Sequence, residues 1–150
     1  MAKTPFVTKE KVEEIVKSIP TPFHVYDEKG IRANAQAVKE AFAWNPGFRE
    51  YFAVKANPNP FLIKILQEYG CGTDCSSLTE LMLSKELGFS GEEIMFSSND
   101  TPAEEFVYAD EIGATINLDG AAITITVRER KHLTMSVRYR FPERFFSCFS

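Results

Sequence analysis

The chain has 150 residues, is 44% hydrophobic with thirteen phenylalanines, and carries a net charge of −4. That is enough apolar material for about one globular domain, and the acidic balance offers no basic face to nucleic acid or to an anionic membrane. Apolar runs such as Phe61-Leu62-Ile63 are too short to span a bilayer and no signal-peptide core follows Met1, so a cytoplasmic protein is expected. Cys71, Cys75 and Cys148 form no disulfide framework. With His24 and His132 as the only histidines, no metal site is expected.

Val12, Ile15, Val16 and Ile19 recur at helical spacing, and Pro20 and Pro22 stop that helix. Phe23-His24-Val25-Tyr26 reads as a short strand. Asp27 is placed to cap a helix carrying Ile31, Ala35, Val38 and Phe42 on one stripe. Tyr51–Ala56 is strand-like and is halted by Asn57-Pro58-Asn59-Pro60. The spacing predicts a helix over 60–69 ending at Gly70, then a strand at Cys71–Ser76. Ser77-Leu78-Thr79-Glu80 has the form of a capping box opening a helix that ends near Gly88. Glu93–Ser97 is the next strand. Thr101-Pro102-Ala103-Glu104 repeats the capping box before a helix that stops at Gly113, and Ala114–Leu118 is a fourth strand. Strands alternating with helices of about ten residues imply βα units and a parallel sheet. The expected class is α/β: a partial (β/α)8 TIM-type barrel of about four βα units after an N-terminal helix and strand, or else a small open parallel sheet.

If Tyr51–Asn57 is a strand, Ala53, Lys55 and Asn57 share one face while Phe52 and Val54 pack on the other. Lysine then stands at the C-terminal end of a parallel strand, where sites of such folds gather, above an alanine that leaves room for a flat ring. An amine flanked by apolar residues sheds its proton more readily, as a carbonyl-capturing nucleophile must. The bland alternative is a lysine that ends a strand and reaches into water. On the next strand, in Gly72-Thr73-Asp74-Cys75-Ser76-Ser77, Asp74 is placed to oppose such an amine, since parallel neighbours lie about 4.8 Å apart. Cys75 alternates away from Asp74 and reads as a small buried hydrophobe.

Four segments, in order, are similar to one family. They are Thr-Pro-Phe-His-Val-Tyr-Asp at 21–27, Tyr-Phe-Ala-Val-Lys-Ala-Asn-Pro at 51–58, Gly-Thr-Asp-Cys-Ser-Ser-Leu-Thr-Glu-Leu at 72–81, and Ile-Met-Phe-Ser-Ser-Asn-Asp at 94–100. Together they resemble pyridoxal-phosphate decarboxylases of the alanine-racemase-like fold, which act on diaminopimelate, ornithine or arginine. The likeness spans roughly residues 8–119 and leans toward diaminopimelate decarboxylases, which convert meso-2,6-diaminopimelate to L-lysine and CO2 in lysine biosynthesis. It implies that Lys55 carries pyridoxal phosphate covalently, that Asp74 lies near cofactor and lysine, and that Ala53 lines the ring pocket. Glu80 matches a family glutamate for which capping is a sufficient role. The implied partners are a small amino-acid substrate and, for the complete enzyme, a second copy in a homodimer. Decarboxylases of polyamine precursors and a non-catalytic pyridoxal-phosphate-binding protein are the alternative readings.

Residues 1–120 hold eleven basic against nineteen acidic side chains, whereas 121–150 hold six against two, five of the six being arginine. The expectation is a barrel segment at 1–120 and an atypical tail at 121–150 lying outside the family sequence. The family's glycine-rich phosphate cradle and the glutamate facing the pyridine nitrogen are not identifiable. The chain is therefore expected to be truncated and inactive alone.

Overall fold

The computed structural model describes residues 5–98 and 101–117, and the backbone of 135–136. The tail at 121–150 otherwise lies outside the described residues. Helix α1 (Lys9–Val16) is capped by Thr8, whose hydroxyl accepts from the Lys11 amide at 3.3 Å. Helix α2 (Glu28–Ala41) starts where expected, with the Asp27 carboxylate accepting from the Gly30 amide at 3.0 Å. Five parallel strands then follow in sequence order across one sheet: β1 (Tyr51–Ala53), β2 (Gly72–Cys75), β3 (Ile94–Ser97), β4 (Thr115–Asn117) and β5 (Met135–Ser136). The connections after β1, β2 and β3 carry α3 (Pro60–Glu68), α4 (Leu78–Glu86) and α5 (Ala103–Glu111). Sequence order equal to spatial order, with every pair parallel, is the winding of a βα barrel wall, open at β1 among the described residues.

Two strand expectations need correction. Residues 23–26 form no strand: strand-like composition needs ladder partners to become one, and this segment pairs with none among the described residues, although β1 pairs there with β2 alone. The second strand expectation, Tyr51–Ala56, is too long. It ends at Ala53, and Val54–Ala56 turns as a 3-10 helix, closed by the Asn57 amide on the Val54 carbonyl at 3.2 Å.

Each strand alternates its two faces. Val54 just beyond β1, Cys75, Phe96 and Ile116 are fully buried toward the helices, where they meet Ile63, Leu81, Phe106 and Ala109. Phe96 and Phe106 pack edge to face with ring centroids 5.7 Å apart. Helix ends obey the backbone: Gly70, Gly88 and Gly113 close α3, α4 and α5 with φ of 85°, 86° and 74°. Arg32 of α2 reaches Glu28 at 2.8 Å and forms a second ion pair with Glu68 of α3, which ties the two helices together.

Gly72 is required for a different reason, close approach. A Cβ there would stand 2.8 Å from the Tyr51 ring and collide with the Glu93 carbonyl. The ring lies across this gap and its hydroxyl donates to the Glu92 carbonyl at 2.6 Å. Gly72→Ala is therefore expected to destabilise the fold by about 1–3 kcal/mol. Urea unfolding curves that coincide with wild type would refute this.

Candidate cofactor site

The face of the sheet away from the helices is built from the alternate residues. Ala53, Asp74, Met95 and Thr115 form one row by register, and Ser97 and Asn117 form the next. A cavity of about 340 Å³ lies against this face, walled by Arg49, Glu50, Tyr51, Asp74, Met95, Ser97 and Asn117. Asp74 is half-buried and Asn117 is only 7% exposed. The Asn117 side-chain amide donates to the Ser97 hydroxyl at 3.3 Å, which bridges β3 and β4.

Ala53 and Asp74 are brought side by side as register partners on neighbouring strands. Lys55 is not on the strand: it sits on the 3-10 turn two residues beyond Ala53 and is exposed to solvent. The residues fit a pyridoxal group in kind. A primary amine follows the strand end, a carboxylate stands on the adjoining strand, and the alanine keeps the space between them low.

The turn after β2 is organised by Glu80. Its carboxylate accepts from the Ser76 amide at 2.9 Å, the Ser76 hydroxyl at 3.2 Å and the Ser77 hydroxyl at 3.1 Å. The capping box expected at Ser77–Glu80 is therefore absent, because Ser77 donates to the carboxylate instead of accepting from an amide. The one expected at Thr101–Glu104 is missing too, since Pro102 takes the N-cap position without a side-chain bond. A capping box does form at Ser90 and Glu93, in the 3-10 turn Gly91–Glu93 before β3. Ser90-Gly91-Glu92-Glu93 carried that signal in the sequence.

Cys75 is fully buried and its sulfur lies 3.2 Å from the Ser84 hydroxyl. Burial pushes its thiol up to about 11, which is the behaviour of a packed small residue and not of a nucleophile. Cys71 is half-buried, and burial with the nearby Glu50 carboxylate raises it as well. Among the described residues no group of three His, Cys, Asp or Glu could hold a metal ion, and no helix is long and apolar enough to cross a membrane.

A parallel βα wall with a polar inner face is part of the architecture on which barrel enzymes assemble their sites. The chain belongs to the pyridoxal-dependent decarboxylases: the family described as "Pyridoxal-dependent decarboxylase, pyridoxal binding domain" matches residues 28–140. It is 44% identical over 108 residues to Protein TabA of Pseudomonas amygdali pv. tabaci, covering 72% of this chain and 26% of that protein. It is 36% identical over 81 residues to the diaminopimelate decarboxylase of Bacteroides thetaiotaomicron, covering 54% of this chain and 21% of that one. Among solved structures, ornithine decarboxylase from Entamoeba histolytica superposes with a TM-score of 0.69 at 28% identity, over 86% of this chain and 41% of that one. The chain thus spans about a quarter of the curated relatives it matches.

Two outcomes follow from this geometry. Glu80→Ala strands three donors at the end of β2 and is expected to cost about 1–3 kcal/mol, whereas Ser77→Ala removes one hydroxyl and costs less. Equal midpoints in urea would contradict that ranking. The folded Cys75 thiol is held neutral past the point where the unfolded thiol ionises, so its contribution is complete below pH about 9 and lost toward 11. Wild type should then lose stability more steeply than Cys75→Ala across that window, and parallel pH profiles would show the thiol is not held neutral.

Proposed function

We propose that this chain is the cofactor-carrying segment of a diaminopimelate decarboxylase, with Lys55 as the attachment residue and Asp74 and Ala53 beside it. The observation that carries the site is the register pairing of Ala53 with Asp74, with Lys55 two residues after Ala53. The substrate reading rests on the likeness to the diaminopimelate decarboxylase of B. thetaiotaomicron, together with the Phe96-Ser97-Ser98-Asn99-Asp100 phrase. A homodimer in the cytoplasm, acting on a small amino acid, is proposed with it.

In this reading each residue has a separate task. Lys55, on a turn instead of a rigid strand, would swing its amine toward the cavity to hold the cofactor, and would take its amine back when an incoming substrate amine displaced it. Asp74 sets a negative charge against that amine and fixes its approach. Ala53 keeps the floor between them flat. Pyridoxal phosphate, when bound, supplies the ring that takes up the electrons left as CO2 departs. Burial of the opposite sheet face against the helices keeps the wall rigid while this happens, which orientation requires.

A polyamine-precursor decarboxylase is the second reading, favoured by the ornithine decarboxylase superposition over most of the chain. CO2 release from meso-diaminopimelate, ornithine and arginine by protein carrying this segment separates the two. Faster turnover of ornithine would overturn the first. The attachment is tested by borohydride reduction of the cofactor-treated chain and peptide mapping, which should label residues 51–57 and lose the label in Lys55→Ala. Label on another lysine with Lys55 clean would sink the assignment. Asp74→Asn should weaken cofactor capture more than Ser77→Ala at equal folded fraction, and superimposed titration curves would refute it.

A further inference from the structure

We infer that Ser97 and Asn117 are cofactor-binding residues, forming the uncharged donor wall of the cavity that begins at Asp74. This deepens the assignment of Lys55 and Asp74 proposed above and rests on it.

The argument starts from the inner face itself. In a barrel whose interior serves only packing, inward positions are filled by bulky branched residues. Here the second inward row is a hydroxyl and an amide, Ser97 and Asn117, at the C-terminal ends of β3 and β4. Their outward neighbours Phe96 and Ile116 are fully buried and apolar, so the polar choice belongs to one face and not to the strands as such. An amide at 7% exposure is costly to bury unless bonded, and one bond it makes is to Ser97, on the cavity wall. A packing role would be met more cheaply by two apolar side chains.

The chemistry of the wall points to the occupant. Asp74 and Glu50 add negative charge to this cavity and would repel an anionic ring oxygen or phosphate. Arg49 lines the same cavity, but from before the start of β1 and next to Glu50. Ser97 and Asn117 supply neutral donors beside Asp74, at the strand ends where barrel sites are assembled. Donors of this kind hold an anionic, hydrogen-bonding ring against a carboxylate-bearing wall without neutralising the carboxylate. Sequence alone did not single out Asn117, because its pairing with Ser97 exists only through the β3–β4 register.

The test titrates the full chain with pyridoxal phosphate and follows the absorbance of the bound form, with Lys55→Ala as control. Asn117→Leu and Ser97→Ala are each expected to weaken binding roughly tenfold, the loss of about one hydrogen bond, and to shift the absorbance maximum of the loaded chain. Ser97→Ala removes a single hydroxyl from a half-buried position and keeps the test open if Asn117→Leu folds poorly. A bridge that serves only the fold would change the thermal midpoint and leave affinity and spectrum as they are in wild type. Wild-type affinity and spectrum in Ser97→Ala and in folded Asn117→Leu would overturn the inference while leaving Lys55 in place. Absence of any Lys55-dependent absorbance in wild type would instead remove the reading on which it stands, and the inference with it.

Discussion

Everything in this molecule depends on the register of its parallel strands. Pairing Ala53 with Asp74, Asp74 with Met95 and Met95 with Thr115 sends one set of side chains to the helices and the other to the open face. A slip of one residue would drive Asp74 into the apolar core and Cys75 onto the open face. The buried set resists this: Phe96, Ile94, Ile116 and Val54 are completely shielded and interlock with residues of α3, α4 and α5. Apolar packing on one side is what fixes polar geometry on the other.

Much of this was legible in the residues. Asp27 as a cap, Pro60 opening α3, and glycines closing three helices are local signals, decided within a turn or two of chain. The alternation of Phe52 against Tyr51 and Ala53 was legible for the same reason. The end of β1 was not, because Val54-Lys55-Ala56 is as compatible with a strand as Tyr51-Phe52-Ala53. What ends it is backbone closure of Asn57 onto Val54. Ser77 was misjudged as a cap because the spacing to Glu80 is right, while the hydroxyl's direction is set by the path of the chain out of β2. Phe23–Tyr26 shows the converse, a strand-like composition that joins no ladder although the outer edge of β1 carries no strand among the described residues.

The position of Lys55 on a turn also changes how a site of this class is pictured. A strand residue points where the pleat sends it. A residue on a 3-10 turn takes its direction from the turn's closure, so Asn57 and Val54 bear on where the amine goes. The Glu80 carboxylate does similar work after β2, gathering Ser76 and Ser77 so that the chain leaves Asp74 along one path. Rigid strands thus end in turns, each pinned by its own bonds.

The Tyr51 ring spread over Gly72 has an evolutionary consequence. Because the ring occupies the space a Cβ would need, the two positions cannot drift independently. A larger residue at 72 would still meet the Glu93 carbonyl after 51 had shrunk, and shrinking 51 gives up the hydroxyl bond to Glu92 that braces β1 against the approach to β3. A change at either position therefore costs stability, and the glycine is held besides by a main-chain carbonyl that no substitution at 51 removes.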